Sequence, residues 1–318
     1  MRTVQFSRYG PPSVMEVGEA PEPQAGPGTV RIAVRASGFT PADAYVRSGR
    51  LKDMMAIGFP YRTGFDAAGV VDQVAEGVTD TAVGDEVFGM TTTRARGANS
   101  DSAVLTSWAR KPAAWSWPEA GGAAGSVETS TRVLDRLRVG ASDTVLVQGA
   151  AGAVGTVAVQ LAAARGARVI GTASEHNHDF LRSMGATPTT YGEGIVERVR
   201  ALAPDGVDAV FDCAGGSLPD LITIAGDATR VVTIADFMNA AAYNVHLSHG
   251  APADEEGKTI GPAADPLAVH GLALAAELAD RGKLRIPIAG AFLLEDASAA
   301  HELSESGHAR GKIVFLNE

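Results

Sequence analysis

The stretch from Val145 to Ser174, VLVQGAAGAVGTVAVQLAAARGARVIGTAS, constrains this chain more than any other. An apolar run enters a turn of small residues, a small-residue helix follows, and a second apolar run closes the unit. That is a strand–helix–strand pattern, and it implies a parallel sheet with helices packed on its faces. Gly149, Gly152 and Gly155 are spaced three apart, and the helix is expected to begin near Ala153, with Val154, Val157, Ala158 and Leu161 on one face. Small residues at 149–155 (Gly149, Ala151, Gly152, Ala153, Val154 and Gly155 among them) let backbone approach a pyrophosphate, and the first helical N–H groups then meet its negative charge. The glycine spacing alone is a weak signal, because small residues also serve packing. Its place after an apolar strand and at the start of a helix makes a dinucleotide the expected ligand.

The pattern continues on both sides. From Trp117 onward, SWPEAGGAAGSVETSTRVLDRLRV reads as helix, and strands then alternate with helices through TVLVQG, ARVIGTA, TPTTY, GVDAVFDCAGG and TRVVTIADF. Before Trp117 the texture differs. TVRIAVRASG places Val30, Ile32 and Val34 on one face of a half-buried strand, and GFDAAGVVDQVAEGV and TAVGDEVFGM repeat this between Gly-containing turns. Many short strands close together predict a small barrel, with TPADAYVRSG as one helical turn among them. Near the other end, SHGAPADEEGKTIGPAADP reads as a loop, LAVHGLALAAELADRGKL as a helix and HARGKIVFLN as a final strand. The fold class expected is α/β: a doubly wound parallel sheet of Rossmann type with a second, β-barrel domain.

The 318 residues carry a formal net charge of −10 and one cysteine, Cys213. The acidic balance and the lack of a basic stripe weigh against nucleic acid as a partner. One cysteine excludes an intrachain disulfide and a four-cysteine zinc lobe. No run of about 18 apolar residues predicts a membrane span, and the first residues do not read as a signal peptide, so the cytoplasm is the expected location.

The end of the second parallel strand distinguishes NAD from NADP. An acid there would accept from the ribose 2′-OH and repel a 2′-phosphate. Here the strand ends in Thr172, Ala173 and Ser174. Ser174, Asn177 and the His176/His178 pair are groups that receive a phosphate, and Glu175 is the one counter-signal. NADPH is therefore expected in preference to NADH.

Taken in order, TPADAYVRSG, GFDAAGVV, VGDEVFG, ARKPAAWSWPEA, the glycine-turn unit, DCAGG and HARGKIV resemble the medium-chain dehydrogenase/reductase superfamily, in its zinc-independent quinone oxidoreductase (zeta-crystallin-like) branch. The resemblance covers essentially the whole chain. It implies a GroES-like barrel formed by residues 1–120 and 256–318, a Rossmann NADP(H)-binding domain at 121–255, and a homodimer joined through the Rossmann sheets. It also implies roles for single residues. Thr129 matches a threonine facing the nicotinamide end, and Ala151 to Val154 match the pyrophosphate loop. Ser174 and Asn177 fall where the 2′-phosphate is read, and Tyr191 matches an aromatic near the adenosine phosphate. Cys213 and Ala214 lie under the nicotinamide ribose, Ile234 and Ala235 lie beside the nicotinamide, and Tyr45 is on the substrate side. The sequence departs from the branch at Thr40, where asparagine is usual, at GANSDS, which lacks two tyrosines near Asn99 and Ser102, and at Glu128, in a segment usually apolar.

No metal is expected. The turns where zinc-dependent relatives carry Cys or His read GFTPAD and GFDAAG, and catalytic zinc needs about three protein ligands. His246 and His249 fall on opposite faces of a strand, and each other histidine reads as a surface or capping group. For catalysis, Tyr45 is the candidate proton donor and Thr40 a weaker hydrogen-bonding candidate. Arg47 reads as a structural ion pair, Asp43 as a turn cap, and Glu128 as a solvated or paired carboxylate. Trp108, Trp115 and Trp117 read as boundary packing. The function expected is NADPH-dependent reduction of a quinone or activated alkene. The alternatives are a pathway-specific step on the same fold, such as enoyl reduction in polyketide-type biosynthesis, and a cofactor-binding protein without catalysis.

Overall fold

The computed structural model describes residues 1–53, 56–91, 96–251 and 265–317. The chain forms two compact units, one of residues 1–125 and 269–318 and one of residues 126–268. The first boundary falls after Gly125 rather than at 120, and most of the loop expected at 250–266, with the expected return at 256, lies outside the described residues.

The first unit is built on strands β1 (Arg2–Phe6), β2 (Met15–Glu19) and β3 (Val30–Gly38), helix α1 (Pro41–Arg47), strands β4 (Tyr61–Arg62), β5 (Asp66–Val74), β6 (Glu86–Met90), β7 (Ser102–Leu105) and β8 (Ser107–Arg110), and helix α2 (Trp117–Gly121). Val30, Ile32 and Val34 are buried as their alternation requires, and they pack with Val71, Val87 and Leu105. The stretch from Ser116 is two helices rather than one. A Cβ on Gly121 would lie 2.6 Å from the Ala36 backbone, so the glycine pair at 121–122 lets α2 pass against β3 before the chain turns. The second helix, α3 (Ala124–Arg136), leads into the second unit.

That unit continues with β9 (Thr144–Gln148), α4 (Ala153–Ala164), β10 (Arg168–Thr172), α5 (His178–Ser183), β11 (Ala186–Thr189), α6 (Ile195–Leu202), β12 (Ala209–Asp212), α7 (Leu218–Ala225), β13 (Val231–Thr233), β14 (His246–Leu247), β15 (Gly250–Ala251) and β16 (Asp265–Pro266). Its main sheet is parallel in the order β11-β10-β9-β12-β13-β14. The order reverses between β9 and β12, which is the switch point where open α/β sheets place their ligands. Leu146, Ile170, Val210, Leu221 and Val231 form its core. Helix α4 is buried from Gly155 through Ala162 rather than along one face, as an apolar helix covered on all sides must be.

The chain returns to the first unit through α8 (His270–Asp280), β17 (Ile288–Leu293), α9 (Ala297–Glu305) and β18 (Lys312–Leu316). Its larger sheet runs β17-β18-β3-β5-β6-β8, with β7 also on β3, so the last strand pairs antiparallel with β3. A smaller sheet runs β2-β1-β4.

Several single residues differ from expectation. Asp43 is fully buried and does not cap α1. It accepts hydrogen bonds from Arg96, from Thr40 Oγ1 and from the Gly64 N–H, because a buried carboxylate requires a cation and donors. Arg47, by contrast, forms the structural ion pair expected of it, with Glu305, and also donates to the Gly10 carbonyl. His301 is no surface group: it is buried, with its ring edge-on to Phe39 at 4.7 Å. Inside the first unit, Trp115 packs edge-on against Phe88 and donates to the Leu284 carbonyl, and Trp108 donates to Thr81.

Candidate functional site

The carboxyl ends of five parallel strands carry nearly all of the residues expected to hold a cofactor. After β9, Gly149 has φ +72°, which favours glycine, and a Cβ there would crowd Ala214 at 3.0 Å. Gly155 is needed for a different reason. Its Cβ would lie 2.3 Å from the Gly149 carbonyl oxygen, so the bare Cα lets α4 seat against the turn. Gly152, the N-cap of α4, has ordinary angles, and its nearest intramolecular Cβ contact would be an unstrained 3.4 Å. Nothing inside the protein requires glycine at 152. Ala151, Gly152, Ala153 and Val154 are half-buried, and the first-turn N–H groups of α4 have no partner within their own helix. An anion is the group such a turn accommodates.

After β10, Ser174, His176 and Asn177 are brought together. The Asn177 amide donates to Ser174 Oγ at 3.4 Å, and His176 Nε2 lies 3.5 Å from the same oxygen. Glu175 is exposed. β11 pairs in register with β10, Thr172 opposite Thr189, so Tyr191 follows on the same edge, 57% exposed. Arg198 holds that turn by donating to the carbonyls of Thr190, Tyr191, Gly192 and Glu193.

Thr172, at the end of β10, is buried, and its hydroxyl accepts from the Gly149 N–H at 3.0 Å and donates to Gln148 Oε1 at 2.9 Å. It fixes the glycine turn. Gln148 passes the constraint on by donating to Ser217.

The turns after β12 and β13 are joined by groups the sequence reading missed. Asp212 is fully buried. One of its oxygens accepts the N–H groups of Ala214 and Gly215, and the other accepts the Thr233 hydroxyl at 2.7 Å. Thr233 Oγ1 in turn accepts the N–H groups of Ala235 and Asp236. One carboxylate and one hydroxyl thus set Cys213 and Ala214 against Ile234 and Ala235. The available signal was an aspartate at a strand end, three residues before a glycine. Burial, and then Asp212, push the Cys213 thiol well above its ordinary range, which disfavours the thiolate.

Thr129 is half-buried on α3, and the next residue, Ser130, donates to the Val154 carbonyl in the first turn of α4. In the first unit, Tyr45 is half-buried on α1 with the Arg50 guanidinium 5.4 Å from its ring centre, and Thr40 donates to Asp43. A groove of about 410 Å³ on the smaller sheet, bounded by Gln5, Glu19 and Arg62, contains neither.

A parallel sheet of this order carrying an anion-accepting glycine turn, together with a mainly antiparallel sheet domain to which β18 returns, defines the class of medium-chain dehydrogenases and reductases. The comparisons agree. Residues 26–137 match the family described as alcohol dehydrogenase GroES-like domain, and residues 184–315 match that described as zinc-binding dehydrogenase. A quinone oxidoreductase of Rattus norvegicus is 30% identical over 245 residues, which is 74% of this chain and 73% of that protein. The spectinabilin polyketide synthase system protein NorB of Streptomyces orinoci is 35% identical over 207 residues, 64% of this chain but 9% of that protein. Among solved structures, the quinone oxidoreductase from Coxiella burnetii superposes with a TM-score of 0.81 at 28% identity, covering 100% of this chain and 99% of the other. The chain belongs to the medium-chain dehydrogenase/reductase superfamily, in its quinone oxidoreductase branch. Several of its relatives are named as quinone oxidoreductases, and the superfamily works with nicotinamide cofactors.

One matched family is described by zinc, and the donor set tests that. Among the described residues no three His, Cys, Asp or Glu side chains come together. At the GFDAAG turn, Asp66 is buried, ion-paired with Lys312 at 3.2 Å, and accepts the Gly125 N–H. His246 is bound to Asp265, and His249 lies beyond β14. This donor set does not fit a zinc ion.

Proposed function

We propose that the chain is an NADPH-dependent, zinc-independent reductase of quinones or activated alkenes. The observation that carries the cofactor reading is the glycine turn, where Gly152 is left bare although the protein has room for a Cβ. Ala151 to Val154 would hold the pyrophosphate, and Ser174 and Asn177, with His176 beside them, would receive the 2′-phosphate. When bound, the nicotinamide supplies a hydride to an electron-poor acceptor. The relatives named as quinone oxidoreductases support that acceptor class. Reduction of a conjugated carbonyl also needs a proton. Tyr45 is the candidate donor, and Thr40, whose hydroxyl donates to Asp43, is the weaker one. The single cysteine fits a reducing compartment such as the cytoplasm. A homodimer formed through the β14 edge of the parallel sheet fits the exposed Met238 and Tyr243 nearby.

The test is a fluorescence titration with NADPH and, separately, NADH, followed by turnover with quinones and enones. Tight NADPH binding, weak NADH binding and broad turnover are expected. A preference for NADH would make Glu175 the ribose acid and overturn the NADPH reading. The match to a polyketide synthase favours a second reading, reduction of one biosynthetic enoyl intermediate; turnover restricted to such an acceptor would favour it. Binding without any turnover would point to a non-enzymatic role.

A further inference from the structure

Glu128 and Arg132, one helical turn apart on α3, form an ion pair that is 2% and 6% exposed. Arg132 Nε donates to Glu128 Oε1 at 2.8 Å, and its Nη1 donates to the Ser248 hydroxyl, which donates to Asp265. Glu128 Oε1 also accepts the Ala268 N–H, and Asp265 is further bound to His246 and Arg136. A buried ion pair is no more stabilising than an apolar pair of the same size, so stability alone does not account for this one.

Among the described residues the network has one outlet. Arg132 Nη2 donates to Thr129 Oγ1 at 3.3 Å, and Thr129 Oγ1 donates to Glu128 Oε2 at 3.3 Å. A hydroxyl has one proton and two lone pairs. The pair uses the proton and one lone pair, so the half-buried Thr129 is left with a single lone pair to present. It can accept a hydrogen bond and cannot give one.

We propose that Glu128 and Arg132 are positioning residues that orient the Thr129 hydroxyl as an acceptor for an N–H or O–H donor on the nicotinamide half of the cofactor. A phosphate, having no proton to give at this oxygen, is excluded as its partner. The half is assigned by placement. Ser174 and Tyr191 lie at the β10–β11 end of the sheet, whereas this network is fastened to Ser248 and Ala268 beyond β14. The inference rests on the proposed cofactor.

The experiment measures dissociation constants of the full-length chain for NADPH, and for 2′,5′-ADP and 5′-AMP, which carry the adenosine half alone. Thr129→Val is expected to weaken NADPH about tenfold, the loss of one hydrogen bond, and to leave the adenosine ligands within about twofold; Thr129→Ser restores binding. Arg132→Lys keeps the buried charge but loses the planar fork, and Glu128→Gln/Arg132→Gln removes both charges. Each is expected to produce the same selective loss, and neither loss adds to that of Thr129→Val in a combined variant. Unchanged NADPH affinity in the pair variants, equal weakening of the adenosine ligands, or additive losses would overturn the proposal. Failure of the wild type to bind NADPH, 2′,5′-ADP and 5′-AMP alike would overturn the cofactor reading beneath it, and that result is distinct from the others.

Discussion

Gly152 and Gly155 stand three residues apart and should respond oppositely to the same change. Gly155→Ala forces a Cβ to within 2.3 Å of a backbone oxygen, and overpacking of this kind costs roughly 1–3 kcal/mol. Gly152→Ala should leave the thermal midpoint nearly unchanged while weakening NADPH binding, since its Cβ enters only the space a ligand would use. Paired thermal unfolding and titration decide this, and a destabilised Gly152→Ala would remove the argument. His301 supports a second prediction. Burial, and then the charge of Arg47, hold its imidazole down to about 3 from 6.5. Between those values the unfolded chain binds the proton and the folded chain does not. Stability contributed by the neutral ring is therefore present above pH 6.5 and lost as pH falls, at about 1.4 kcal/mol per unit. His301→Leu should flatten the urea-unfolding profile between pH 6.5 and 4; an unchanged slope would assign the acid sensitivity to other groups. At this scale Gly149 was legible, because its conformational need is written in its residue type. Thr172, Asp212 and Glu128 were not, because the role of a hydroxyl or carboxylate depends on which strand or helix the fold lays beside it.

Among elements, the joint between β18 and β5 is the most exposed to single substitution. Lys312 meets Asp66 with both side chains almost fully buried, and Asp66 Oδ1 has no partner among the described residues. Lys312→Met would leave that carboxylate uncompensated, at a cost of roughly 3–5 kcal/mol. Adding Asp66→Asn should recover part of the loss in chemical denaturation, and a double variant no better than the single would show that packing, not charge, holds the joint. The sequence could not announce this pair, since 246 positions separate its members. It did announce the strands themselves: the alternation at Val30, Ile32 and Val34 and the glycine turn at the end of β9 both read directly from residue types. The long helical stretch after Ser116 misled because helical periodicity continues through Gly121 and Gly122, and only the approach of β3 shows why the helix stops there.

For the whole molecule, a ligand that binds only the folded chain adds stability by mass action, about 2.7 kcal/mol at a hundred times its dissociation constant. NADPH should therefore raise the thermal midpoint with its concentration. Ser174→Ala/Asn177→Ala should reduce that rise for NADPH and leave it unaltered for NADH; equal effects on both would deny those residues a part in reading the 2′-phosphate. The alternation of strands and helices after Trp117 made the class of the second unit legible, and the short strands before it pointed to a barrel.

The first unit's larger sheet also sets an order of events during synthesis. Gly38 ends β3 and Lys312 begins β18, so 273 residues, counted as 311 − 38, leave the ribosome between two strands that must lie side by side. At about 5–20 residues per second, the Ala36–Gly38 end of β3 waits roughly a quarter of a minute to a minute with that edge uncovered, while β7 covers Val30–Ala33 of the same edge. The continuous segment 126–268 emerges entirely within the wait. A bare strand edge is a template for joining another chain. Newborn chains should therefore be at their most aggregation-prone late in translation, and a slowed ribosome between codons 269 and 312 should lower the yield of native protein more than one slowed before codon 30.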